Sequence, residues 1–146
     1  LGNKMAIKLS KLSKAKTSAI AVEIKDPHTG EVIQDDTGNK VIAWVYGKAS
    51  KEHRAFEDKN LQEALTKRKS ARNGVDPFAK DLTVGKLRDT ELDYPVAMTK
   101  AIDGLETDDG KPYNTPELIR SLYEDKSLYY ILDQVTAALA DETNFI

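Results

Sequence analysis

β-type and helical sequence are segregated along this 146-residue chain, and that order restricts its fold more than any other feature. Ala19 to Ile24 alternates apolar with small or polar residues, Asp26-Pro27-His28-Thr29-Gly30 is a turn cluster, and Glu31 to Gln34 resumes a short strand. Asp35-Asp36-Thr37-Gly38-Asn39 makes a second turn before Val41 to Tyr46, the stretch richest in β-branched and aromatic residues. Three short strands joined by Gly-containing turns predict an antiparallel meander closed by Gly47. Beyond Gly47 the chain reads mainly as helix. The expected fold is therefore α+β: a small N-terminal antiparallel β-meander followed by a basic helix and a helical C-terminal half.

Ser50 is placed to cap a helix running from Lys51 to about Arg72. Its apolar members Ala55, Phe56, Leu61, Ala64 and Leu65 form no clean core stripe, and Arg54, Lys59, Lys67, Arg68, Lys69 and Arg72 make it strongly basic. A mostly exposed helix with a narrow packing contact is expected. Asn73-Gly74 and Asp76-Pro77 break it, and residues 73–90 read as a linker. A short helix is expected over Pro95 to Ile102, then an acidic turn at Thr107-Asp108-Asp109-Gly110. Thr115-Pro116-Glu117 combines a cap, a proline at the first helical position and an acid at the positive end of the dipole. Leu118, Ile119, Leu122 and Tyr123 form the buried face of that helix. Ser127 is expected to cap the last one, where Leu128, Ile131, Leu132, Val135 and Leu139 make the cleanest amphipathic stripe. Residues 1–16 read as a flexible basic arm, with 1–4 a cloning remnant ahead of Met5; residues 17–146 read as one domain.

The residues needed for catalysis are sparse. With no cysteine there is no disulfide, no thiolate nucleophile and no cysteine-based zinc site. His28 and His53 stand 25 positions apart, neither with a second histidine one helical turn away, and both read as surface residues. Asp108-Asp109-Gly110 lacks the alternating ligands and closing glutamate of a calcium loop. No Gly-x-Ser-x-Gly elbow and no phosphate-cradling glycine loop occurs. The expectation is a protein that is no enzyme and uses no cofactor or metal. No window approaches the ~18 apolar residues of a membrane span. The compartment expected from the lack of cysteine is the cytosol.

Charge is divided. Residues 1–72 carry 15 Lys+Arg against 9 Asp+Glu, and residues 73–146 carry 7 against 15. Opposite signs on the two halves point either to polar partners at each end or to head-to-tail self-association, the latter with Arg54, Lys59, Lys67, Arg68 and Arg72 on the basic side. Asp103 to Asp109 and Asp141-Glu142 supply the acidic side. Such contacts would be salt-screened, and reversing Arg54, Lys67 and Arg68 to glutamate would give smaller species. A nucleic-acid-binding regulator working through the arm and the basic helix is the alternative, disfavoured by a pI of 5.7 and by aromatics that avoid the lysines. Tyr123 and Tyr129 read as packing residues, whereas Tyr130, Phe145 and Ile146 read as an apolar contact surface.

Several motifs in the C-terminal half form a pattern. Ala101-Ile102-Asp103-Gly104-Leu105 is followed by Asp108-Asp109-Gly110-Lys111-Pro112-Tyr113 and Thr115-Pro116-Glu117. Leu122-Tyr123-Glu124-Asp125, Asp133-Gln134-Val135 and Asp141-Glu142-Thr143-Asn144-Phe145 complete it. Together with Val41 to Tyr46 and Gly47-Lys48-Ala49-Ser50-Lys51-Glu52, this resembles the tail assembly chaperones of long-tailed bacteriophages. The likeness runs through most of residues 17–146, with one departure: Gly104 stands where the family often has tryptophan. The resemblance implies a non-catalytic protein of the host cytoplasm that coats the tape measure protein, helps recruit tail tube subunits and is absent from the mature virion. It also implies self-association into open oligomers, and many family members have a longer frameshifted form. A structural head–tail or tail protein retained in the virion is a further alternative.

Overall fold

The computed structural model describes residues 6–13, 15–72 and 84–146, with side chains at 6–13, 15–69 and 90–146. It is an α+β fold built on a four-stranded antiparallel sheet in the order β1-β2-β3-β4. The strands are β1 (Ile20–Glu23), β2 (Ile42–Val45), β3 (Thr99–Glu106) and β4 (Pro112–Tyr113). The helices are α1 (Leu9–Leu12), α2 (Lys51–Arg72), α3 (Val84–Met98), α4 (Pro116–Glu124) and α5 (Tyr129–Ala140). Two short 3-10 turns, Lys126–Leu128 and Glu142–Phe145, flank α5.

Alternation along β2 divides the sheet into two faces. Ala43 and Val45 are fully buried, and the register sets Val22 and Ile20 beside them on β1. Ile102 joins them from β3. The helices cover this face with Ile119, Leu122 and Tyr123 of α4 and Ile131 and Val135 of α5. On the other face Trp44 keeps its indole N–H paired with Asp103 Oδ2 at 2.8 Å. Thus the period-2 pattern of the strands and the stripe of α5 meet in one core.

The expected three-strand meander is realised as a two-strand hairpin with a folded excursion. Residues 31–34 pair only through the isolated bridges Lys25↔Val32 and Gln34↔Lys40. Around them the Ile24 N–H donates to Val41 O, that of Val41 to Ile33 O, and that of Ile33 to Ile24 O. These bonds satisfy the backbone without a third full strand.

The largest correction concerns residues 84–106. Val84 to Met98 is one helix, so the linker reading fails from 84 onward, while 73–83 lie outside the described residues. Pro95 does not start a helix; it sits in the last turn of one, where its missing N–H costs a single bond near an end already due to stop. The chain then turns directly into β3, and the helix expected over Pro95 to Ile102 is instead half strand. Ser127 is not the cap of α5 either. Asp125 accepts from the Ser127 N–H at 2.9 Å and from its hydroxyl at 2.6 Å, capping the 3-10 turn ahead of α5. By contrast Thr115 caps α4 through the Leu118 N–H, and Ser50 caps α2 through the His53 N–H at 3.1 Å.

Thr99 joins the end of α3 to α4. Its hydroxyl donates to Pro95 O at 2.7 Å, leaving its oxygen to accept from the Tyr123 hydroxyl at 2.7 Å. Burial pushes the Tyr123 phenol up to about 12, against a smaller lowering by the Thr99 bond. Because the folded value exceeds the unfolded one, this contribution is complete below about pH 10 and is lost as pH rises from about 10 towards 12. Alkaline denaturation should show a loss of about 2–3 kcal/mol over that interval. Tyr123→Phe should flatten it, as followed by far-UV circular dichroism; an unchanged alkaline limb in the variant would contradict this assignment.

Candidate functional site

Two surfaces stand apart from the core. The first is α2. Its N-terminal turns pack on α3, with His53 edge-on to Tyr94 at 5.7 Å and Phe56 tilted on the same ring at 5.3 Å. Beyond Phe56 every described side chain of the helix is exposed, Leu61 at 58 % and Leu65 at 42 %. This is the projecting, narrowly attached helix the sequence predicts.

A helical turn advances about 100° per residue, which sorts its side chains. Phe56, Asn60 and Glu63 share the side that lines the cleft of about 530 Å³ against α3 and α4. Arg54, Asp58, Leu61, Leu65 and Arg68 fall within about 80° of one another on the opposite side. The five basic residues singled out in the sequence are therefore not one surface. Arg54 and Arg68 point outward, Lys59 lines the cleft, and Lys67 falls near the cleft side. The side chain of Arg72 lies outside the described residues.

His53 corrects the reading of a surface histidine, being 8 % exposed. Its Nδ1 lies 2.7 Å from Glu57 Oε1 but out of line for a hydrogen bond. With Tyr94 on its edge and no nucleophile near it in these contacts, the ring serves as a packing element. Among the described residues no cluster of three metal-ligating side chains exists.

The acidic groups expected to meet the basic helix of a neighbour have local partners. Asp103 accepts from Trp44, and Asp109 accepts from the Thr107 hydroxyl and lies 3.6 Å from Lys111 Nζ. Asp141 accepts from the N–H and hydroxyl of Thr143, and Glu142 pairs with Lys48 at 2.6 Å. The hydroxyl bonds hold Asp109 and Asp141 below the usual carboxylate value, and the Lys48 bond does so for Glu142.

The second surface is the C-terminal corner. Phe145, expected to project, is only 7 % exposed and belongs to the core. The 3-10 turn after α5 folds it back against Gly47, where a Cβ would stand 2.5 Å from its ring. Asn144 secures that turn by donating to Ala138 O at 3.1 Å, and Lys16 N–H reaches Phe145 O at 2.6 Å. Ile146 remains 63 % exposed. Beside it lies a largely apolar cavity of about 210 Å³, lined by Gly47, Ala49, Tyr94, Leu139, Phe145 and Ile146, with the Lys48–Glu142 pair at its edge. Phe145 and Ile146 thus meet as wall and rim of one site. Tyr130 does not join them: it lines a separate cleft with Leu128 and Ile131. The two adjacent tyrosines exchange the roles read from the stripe, Tyr129 being 61 % exposed and Tyr130 half-buried.

Gln134 has a role that sequence reasoning misses. From α5 its amide accepts from Lys25 N–H and donates to Lys25 O, both at 2.7 Å, so that it acts as a strand neighbour for the end of β1. Polarity within the α5 pattern marks it as exposed; nothing in the sequence pairs it with residue 25.

Comparison with known proteins finds no matching family model, no similar curated protein and no similar solved structure.

Proposed function

We propose that this chain is a non-catalytic assembly chaperone of the phage tail type. It binds the tape measure protein as that protein waits for its tube, and helps recruit tail tube subunits around it in the host cytoplasm. The observation that carries this reading is the cavity at the C-terminal corner. It is apolar, open and rimmed by the exposed Ile146, and its charged residues Lys48 and Glu142 are engaged with each other. Such a site suits an apolar side chain presented by another protein. The motifs shared with tail assembly chaperones support the choice of partner. Among the described residues no helix is long and apolar enough to cross a membrane.

Many weak contacts of this kind along a long helical protein would add through avidity. Co-expression with the tape measure protein of the same phage should retain the chain through purification. Ile146→Asp with Ala49→Glu, both at exposed positions, should lower retention by about tenfold while leaving the circular dichroism unchanged. Failure of the folded wild type to co-purify would end this reading. Retention of the double variant at wild-type level would move the contact to another face.

A further inference from the structure

The outward side of α2 has an unused regularity. Arg54, Asp58, Leu61, Leu65 and Arg68 recur at alternating spacings of four and three, the repeat of a two-helix seam. All five side chains are exposed, and the body of the domain lies on the opposite side of the helix. Lys69 and Gln62 flank the seam on one edge and Glu57 and Ala64 on the other, so that each edge has one uncharged residue, while Ala55 lines the cleft on the domain side.

We propose that α2 pairs antiparallel with the α2 of a second copy, forming a two-fold dimer. The sequence of the seam selects this partner and this orientation. When Leu61 of one copy meets Leu65 of the other, the same register sets Asp58 against Arg68, and the two-fold axis repeats each contact. A parallel pair in register would instead oppose Asp58 to Asp58 and Arg68 to Arg68, which is penalised. The Asp58–Arg68 pairs stand at exposed positions, so salt should weaken the dimer only modestly, less than it would a contact held by the basic helix and acidic segments elsewhere. Two leucines from each copy are a small apolar contact, so the dimer is weak and concentration-dependent. The proposal is independent of the tail-assembly reading, and its test involves no phage partner.

Sedimentation of the full chain from about 10 µM to about 1 mM should show a monomer–dimer equilibrium. Asp58→Arg should raise the dissociation constant by about tenfold or more, since it creates two Arg–Arg contacts, and adding Arg68→Asp should restore it. A charge-driven head-to-tail array would respond in the opposite sense, because Asp58→Arg makes its basic surface more basic. The absence of native cysteine permits a direct reading of register. An equimolar mixture of Leu61→Cys and Leu65→Cys chains should give a mixed disulfide on mild oxidation, in excess over either homodimer. A chain that stays monomeric throughout, or a dimer indifferent to Asp58→Arg, would overturn the proposal. So would Leu61→Cys linking chiefly to itself, or a monomeric Leu61→Cys variant whose thiol resists labelling because its own chain covers the seam.

Discussion

Phe145→Ala should destabilise the protein by about 3–5 kcal/mol, a large share of the ~5–15 kcal/mol available to a domain of this size. The ring is a buried member of the core and lies against the backbone of Gly47. Removing it empties space between the end of β2 and the turn after α5, and it loosens the strap formed by Lys16 N–H and Phe145 O. Gly47 supplies the control. A methyl there would stand 2.5 Å from Phe145 Cδ1, so Gly47→Ala must displace the ring and should cost about 1–3 kcal/mol alone. In the Phe145→Ala background the ring contacts at 2.5 and 2.6 Å are gone, and only the Cβ of residue 145, at 3.1 Å, stays close to the same methyl. The double variant should therefore be more stable than the sum of the two by about 1 kcal/mol or more. Urea titrations of the four proteins would show this coupling. A cost below about 1 kcal/mol for Phe145→Ala would mean that the turn frays and the ring is not core.

Gly104→Ala should be nearly as damaging, and for a different reason. Gly104 has φ +84°, which costs a side-chain-bearing residue about 1–2 kcal/mol. In addition, the new Cβ would lie 2.7 Å from Lys40 O and 3.1 Å from Val41 Cα, both backbone atoms. Lys40 is held by its bridge to Gln34 and by the adjoining β2, so relief requires moving the sheet. A total of about 3 kcal/mol is expected. Gly110 isolates the steric part, since its φ is +85° but nothing lies within 4 Å of its Cβ position. Gly110→Ala should cost only the conformational share, about 1–2 kcal/mol. Equal losses at the two positions would show that close packing against Lys40 plays no part.

The same approach of Lys40 O excludes any large side chain at position 104. The neighbouring Asp103 carboxylate accepts from the indole N–H of Trp44 across the β2–β3 ladder. Other motif residues have structural explanations: Thr115 caps a helix, Asp141 caps the 3-10 turn of residues 142–145, Asn144 bonds the end of α5, Gln134 completes a strand edge and Phe145 fills the core.

Those parts of the fold that depend on local chemistry are legible in the sequence. Alternation locates β1, β-branched and aromatic residues locate β2, hydroxyl caps locate the starts of α2 and α4, and the apolar stripe locates α5. Legibility ends where tertiary context decides. Thr99 to Glu106 becomes a central strand because β2 offers it a ladder, although Pro95 ahead of it resembles a helix start. Residues 31–34 lack a complete neighbour and stay at isolated bridges. Phe145 stands just beyond the polar run Asp141-Glu142-Thr143-Asn144, which points it towards solvent; only the turn made by Asp141 and Thr143 reveals that the chain doubles back. The outward seam of α2 is hidden because its ends are charged, and a search for a core stripe counts arginine and aspartate as interruptions.

The strap between Lys16 and Phe145 joins residues 129 positions apart, so the corner closes only once residue 145 has been made. Residues far apart in the chain must meet before the corner closes, and such non-local closure is slow to form. On the ribosome, β1 and β2 emerge well before their covering helices, so their apolar face is uncovered while the remainder is translated. The exposed lysines Lys8, Lys11 and Lys16 ahead of β1 place like charge on that nascent hairpin and oppose its pairing with neighbouring nascent chains.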